Sequence, residues 1–324
     1  MKLTDTQSKK VQMLRGVAII AVVFIHNTPI GLAQVFLRPF LNFSVGLFLF
    51  FSGMLSSATQ WNPRKRITKV VIPYILWSLI YTVIYNVISN PIEIPIKFLK
   101  NVLMGNASAI MYYIFVYCEF TLIIPFIDRL AKSKYRYWGF VITPLEIVIM
   151  RFIPVVIGRD MNSYISIIMS ISCLGWFTYF YLGYMIGNKY ISVKRTFNKN
   201  FILWVISIVF QIVEGYFYYM RGYQNCGTQL KITSIISGVL FALMAYSYVV
   251  NGKDRNITIL KLLGDNSFGI YFSHLAVMAV ISQIPVYVQY IPYPITAVVT
   301  IVFTTICVLV GKKILGDFSK YLAL

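Results

Sequence analysis

Apolar runs about twenty residues long recur along the entire chain, and this recurrence leaves few folds open. Ten segments qualify, at roughly 12–30, 38–57, 68–90, 109–128, 137–157, 163–187, 200–220, 230–250, 266–284 and 292–314. A helix needs about 20 mostly apolar residues to cross a bilayer. In lipid every backbone polar group must be satisfied internally, which a helix achieves and an open strand does not. The expectation is an all-α membrane protein with about ten transmembrane helices. Composition agrees: 58% of the 324 residues are hydrophobic and 12% are charged, against about a quarter charged in soluble domains. The loops between the segments are short. The chain therefore reads as one polytopic domain over 1–324, with no fused soluble domain.

The basic residues orient the segments. With the N-terminus in the cytoplasm, 22 of the 29 lysines and arginines fall in inner loops and termini, and 7 fall in outer loops. That bias in short loops sets topology, and an even number of spans puts both termini in the cytoplasm. The cell membrane is the expected location, a bacterial plasma membrane in particular. The net charge of +19 is spread over every inner loop. Attraction to anionic membrane lipid accounts for it, and binding of nucleic acid does not. Cys118, Cys173 and Cys307 lie inside spans and Cys226 in an outer loop, with no CxxC pair and no metal-ligand spacing. No metal is expected.

The chain has two histidines, His26 and His274, and both fall inside apolar segments. An ionisable group in a membrane span is costly and marks a functional site by default; the structural alternative is a helix-to-helix hydrogen bond. His26 ends the stretch RGVAIIAVVFIH, which opens with Arg15. Eleven residues at 100° each make three turns plus about 20°, with a rise of roughly 16 Å. Arg15 and His26 thus share one helix face, the arginine at the cytoplasmic boundary and the histidine deeper. In LGDNSFGIYFSHL, Asp265 or Asn266 is placed to cap a helix and Gly264 to let the chain turn. His274 then lies about 13 Å below the same boundary. Both histidines are expected at similar depth in one polar cavity entered from the cytoplasm. A phosphate-bearing thioester with a long, thin arm suits that layout: phosphates on cytoplasmic arginines, thioester beside a neutral imidazole able to take a proton from an attacking alcohol.

Five phrases carry a family resemblance. MLRGVAIIAVVFIHN resembles the first-helix signature of the integral-membrane acyltransferase-3 family, an arginine, ten residues, then a histidine. VGLFLFFSGML at 45–55, RKRITKVVIPYILWS at 64–78, FYLGYMIG at 180–187 and LGDNSFGIYFSHL at 263–275 are similar to later phrases of that family, in the same order and over nearly the whole chain. The resemblance implies a ten-helix core that moves an acyl group, usually acetyl, from acetyl-CoA or another acyl-coenzyme A donor to a hydroxyl of a cell-surface polysaccharide or a lipid-linked sugar. It implies His26 as the catalytic histidine, Arg15 as its partner and His274 as a second catalytic candidate. It implies donor phosphates on Arg15, Arg64, Arg66 and Lys69. The chain departs from the usual pair of arginines at Lys69, which supplies charge without a bidentate fork. Some relatives carry an extra esterase-like domain, which is not expected here.

Three glutamates also fall in apolar segments, Glu119, Glu146 and Glu214. Glu119 is a candidate to orient a histidine or hold a proton, against a purely structural role. Glu214, nearer the outer face, is a candidate for a sugar hydroxyl. Asn27 and Ser52 are placed either to polarise a carbonyl or to bond neighbouring helices. Most of the 24 tyrosines read as an interfacial belt. Two other functions stay in view. An exporter or flippase for a glycan or lipid-linked sugar would string ionisable groups along a path to both faces, and a membrane scaffold would leave the Arg15–His26 pair without a purpose.

Overall fold

The computed structural model describes residues 3–86, 91–158, 171–193, 197–285 and 291–324. Every regular element among them is helical. In chain order they are α1 (Asp5–Asn27), α2 (Leu32–Leu37), α3 (Ser44–Met54), α4 (Pro63–Asn86), α5 (Ile94–Met104), α6 (Tyr112–Lys132), α7 (Ile142–Ile147), α8 (Ile153–Ile157), α9 (Phe177–Gly187), α10 (Phe197–Met220), α11 (Ile232–Asn251), α12 (Thr258–Asp265), α13 (Ser267–Ile281) and α14 (Ile295–Leu315), joined in places by short 3-10 turns. The start of the sixth apolar segment, 163–170, the end of the third, 87–90, and Lys2, Arg159, Lys194 and Arg195 lie outside the described residues.

Five stretches are long and apolar enough to cross a membrane alone: Leu32–Met54, Pro63–Asn86, Phe197–Met220, Ile232–Asn251 and Ile295–Leu322. The other apolar segments are helical but shorter, broken or more polar. Large apolar side chains such as Phe201, Val209, Phe210 and Val213 on α10, and Val302, Phe303, Ile306 and Val310 on α14, are exposed on the outside of the bundle. A surface this apolar fits lipid.

Hydrogen bonds between loops sort the helix ends into two sets. At a basic end, Lys10 Nζ donates to the Gly252 carbonyl at 2.6 Å, Asn188 Nδ2 to that of Ser56 at 2.9 Å, and Lys312 Nζ to Asn266 Oδ1 at 2.5 Å. At the far end, Arg38 Nη2 donates to the Ile25 carbonyl at 3.3 Å, and Arg221 Nη1 to that of Val156 at 2.9 Å. α1 and α13 both run from the basic end to the far end.

Glycines set how closely the central helices approach. A Cβ on Gly53 would overlap the Phe180 carbonyl oxygen, and Cβ atoms on Gly183 and Gly187 would overlap those of Phe50 and Met54. The Ser-Gly phrase of α3 and the two glycines four apart on α9 therefore form one small-residue seam. Gly16 and Gly264 do the same for α1 and α12, against Leu260 and Gln12. Gly264 thus serves contact rather than a turn. Nor do its neighbours cap α13 through their side chains: Asp265 pairs with Lys261 at 2.6 Å, and Asn266 donates to the Leu262 carbonyl at 2.7 Å.

Among the described residues three segments differ from the expected continuous spans; the sixth leaves the helix at Ser172 and passes through a 3-10 turn at Cys173–Trp176 before α9. The second starts earlier, at Leu32, and is interrupted at Arg38–Phe40. The fifth contains a wider, π-type turn at Val148–Phe152. Pro154 explains it: the ring has no N–H to give to Met150, and the helix accommodates the loss by widening. That turn carries Arg151.

Candidate active site

The first half of α1 packs on α12, and from Arg15 onward α1 runs beside α13. Arg15 Nη2 donates to Ser267 Oγ at 3.0 Å. Eleven residues later the His26 ring lies 5.2 Å from that of His274, centroid to centroid, with the planes tilted by 51°. On α13 the partners are seven residues apart, a rise of about 10.5 Å against roughly 16 Å on α1. The length of the arginine side chain covers the difference.

His274 is fully buried. Its Nδ1 lies 2.8 Å from the Tyr271 carbonyl and 3.0 Å from that of Ile270. A carbonyl only accepts, so the ring proton belongs on Nδ1 and Nε2 carries a lone pair. That Nε2 is buried without a partner among the described residues. α4 braces the same turn. The Tyr81 hydroxyl donates to the Phe272 carbonyl at 2.6 Å and accepts from the Ala276 N–H at 3.1 Å. These are the two groups an undisturbed helix joins directly. Tyr81 therefore sits in the hydrogen-bond ladder beside His274. As one of many tyrosines in an apolar chain, it gave no sequence signal.

Two cavities meet near this pair. The first, about 330 Å³, opens toward the basic end and is walled by Arg15, Gln12, Ser52, Ser267, Tyr113, Tyr117 and apolar side chains. The second, about 300 Å³, is walled by His26, Arg38, Asn42, Arg151, Trp176, Thr228 and Gln229 among others. Val22, Val45 and Tyr271 line both and form the partition. The expectation of a single cavity holding both histidines and entered past Arg15 is thus corrected. The histidines do meet, but His26 faces the far-side cavity. Its position three turns along α1 carries it past the partition.

The basic loop also divides. Arg66 turns inward, its Nη1 donating to Ser56 Oγ at 2.8 Å, within electrostatic reach of Tyr117 on the wall of the first cavity. Arg64 and Lys69 instead line a separate open cleft with Lys65, Lys320 and Tyr321. Helix periodicity separates them: residues 64 and 66 differ by about 200° around α4. The geometry brings Arg15 and Arg66 toward one site and leaves Arg64 and Lys69 on another.

The glutamates are all engaged in structure. Glu119 Oε2 accepts from the Cys173 N–H at 2.6 Å, holding the turn before α9, and it lines neither cavity. Glu214 accepts from the N–H groups of Ile232 and Thr233 at 3.3 and 2.9 Å, satisfying the first turn of α11. Glu146 pairs with Arg151 at 3.6 Å. Asn27 is a helix-bonding residue, giving its Nδ2 to the Val23 carbonyl at 2.8 Å and accepting from Thr300 at 3.2 Å, whereas Ser52 remains on the first cavity wall. Arg38 and Arg151 were absent from the sequence-derived site. The available signal was that they are two of the few basic residues on the side that positive charge avoids.

No curated protein and no solved structure matches this chain. A family model described as an acyltransferase domain matches residues 9–312, nearly the whole chain, so the protein belongs to the acyltransferase-3 family of membrane proteins that transfer acyl groups.

Proposed function

We propose that this protein moves an acyl group, acetyl in the simplest case, from cytosolic acyl-coenzyme A to a hydroxyl of a cell-envelope polysaccharide or lipid-linked sugar. The observation that carries the reading is the pair of cavities on either side of one thin partition, with Arg15 on one wall and His26 on the other. The loop charges support placing the basic end in the cytoplasm, with about ten crossings and both termini inside. The donor then enters from the basic end. Its phosphates stay near Arg66 and Arg15, and its narrow arm follows the largely apolar first cavity to the partition. The acceptor occupies the second cavity.

The chemistry requires little more. The acceptor oxygen attacks the thioester carbonyl, an O–C bond forms and the C–S bond breaks. The hydroxyl proton passes to His26, and the thiolate of coenzyme A leaves to be protonated. The lone pair on His274 Nε2 is suited to steady the charged imidazole. Tyr81 and the two carbonyls that hold Nδ1 keep that lone pair from turning away.

Purified protein in lipid nanodiscs, given acyl-labelled acyl-coenzyme A and surface glycan from cells lacking the gene, tests the reading. Label should move to the glycan, and His26→Ala should stop it while leaving donor binding in place. A glycan exporter is the second reading, favoured by the basic groups on the far side of the partition. It predicts that loss of His26 blocks glycan export and leaves acylation of exposed glycan unchanged.

A further inference from the structure

The second cavity holds more than a proton acceptor. Arg38 reaches it from the break between α2 and α3, and Arg151 from the π-type turn before α8. Arg38 has no carboxylate within ion-pair distance among the described residues, and its Nε is buried without a partner. Arg151 is balanced by Glu146 at 3.6 Å, but its Nε and Nη2 make no hydrogen bond. No aspartate or glutamate is among the residues named on the cavity wall. The buried Lys231 ammonium lies within electrostatic reach of both Arg38 and Glu214, so three cations are set against two carboxylates, and one positive charge is left over that a ligand's counter-charge would balance.

The same wall carries unused acceptors. Asn42 is 1% exposed. Its Nδ2 is engaged by Gln211 at 2.9 Å, and its Oδ1 has no partner. Gln229 Oε1 is likewise buried and unpartnered. Tyr112 and Trp176 stack with ring centroids 6.2 Å apart and planes 19° apart, making a flat side to the cavity. A volume of about 300 Å³ is at the small end for ligand pockets.

We propose that the acceptor is a sugar unit bearing a single oxyanion, a carboxylate or a phosphodiester, held by Arg38 and Arg151. Its hydroxyls are taken by Asn42 and Gln229, and its ring lies beside Trp176. Guanidinium groups grip either oxyanion through paired N–H donors. Arg38 also donates to the Ile25 carbonyl, immediately before His26. The anion is therefore anchored at the end of α1, and a neighbouring hydroxyl is left at the His26 ring. Which hydroxyl reacts rests on the acyl-transfer reading above; the binding preference does not.

Calorimetric titration of the protein in nanodiscs, without donor, separates the two. Three probes suffice: a glucuronic-acid disaccharide, the same disaccharide with its carboxyl reduced to the alcohol, and a methyl phosphodiester of the neutral disaccharide. At least one anionic probe should bind about tenfold or more tightly than the neutral one, and which of them does identifies the oxyanion. Arg38→Gln should remove that preference. Equal binding of all three probes to the wild-type protein overturns the proposal without any variant, as does a preference that survives Arg38→Gln in a protein with an unchanged melting temperature. Binding that discriminates, in a protein that transfers no label from acyl-coenzyme A, leaves the anion site standing and removes the acyl-transfer reading instead.

Discussion

His26 and His274 lie 5.2 Å apart although 248 positions separate them, and only one of the two is locked. The carbonyls at Ile270 and Tyr271 engage His274 Nδ1, whereas His26 has no hydrogen bond among the described residues and lines the second cavity. The pair therefore divides into an imidazole that lines the second cavity and a fixed one behind it.

This division makes the two side chains interdependent. His26→Ala should lower acyl transfer by about 10²–10⁴, the usual range for loss of a general base. His274→Ala should fall within the same range, and the double variant should be no worse than the poorer single one, since groups acting as a unit are not additive. Rates of label transfer in nanodiscs test this. Losses that multiply in the double variant would show that the residues act separately.

Tyr81→Phe removes one hydroxyl and leaves the ring. Each of the two hydrogen bonds at Phe272 and Ala276 is worth about 0.5–1.5 kcal/mol, so the melting temperature should drop modestly. Activity should drop about tenfold, because the turn that presents His274 relaxes. Donor affinity should stay as it is. A variant that melts lower but turns over normally would make Tyr81 a stability residue alone.

The split of the basic loop predicts unequal roles. Arg15→Ala and Arg66→Ala should each weaken acyl-coenzyme A binding by roughly 1.5–3 kcal/mol, the range for a charged hydrogen bond. Arg64→Ala and Lys69→Ala, on the open cleft with Lys320, should cost well under 1 kcal/mol, as exposed charges do. Donor titrations at fixed ionic strength measure all four. If Lys69→Ala equals Arg66→Ala, the donor phosphates lie in the cleft.

Gly183→Leu should be among the most damaging changes outside the site. Any Cβ there meets the Phe50 carbonyl, and backbone cannot yield as a side chain does. Folded protein recovered after detergent extraction should be strongly reduced. A normal yield with a normal melting curve would mean that α3 and α9 pack more loosely than described.

Single cysteines introduced in 61–67 and 130–136 should be labelled by membrane-impermeant reagent only after the cells are opened, and those in 222–225 in intact cells. Labelling of 61–67 from outside would reverse the orientation and put Arg15 and Arg66 on the side away from the proposed cytosolic donor.

Local periodicity made part of this protein legible in one dimension. Apolar runs of the right length specify helices, because lipid offers a backbone no other partner. Arg15 and His26 share a face because eleven residues nearly complete three turns, and the structure keeps both against α13. The tertiary structure alone decided what lay opposite that face. Where the partition falls depends on Val45 and Tyr271, brought to Val22 from two other helices. That placement put His26 beyond the cavity that Arg15 lines. Glu119 looked catalytic as a carboxylate in an apolar segment, yet the backbone of Cys173 took it, since an unsatisfied N–H in a dry interior is itself costly. Arg38 and Arg151 come from segments more than a hundred residues apart and meet at one cavity because one helix breaks and another widens. Pro39 and Pro154 mark the break and the widening in the sequence, but which cavity Arg38 and Arg151 then face follows from how neighbouring helices fill space, and no period in the sequence records that.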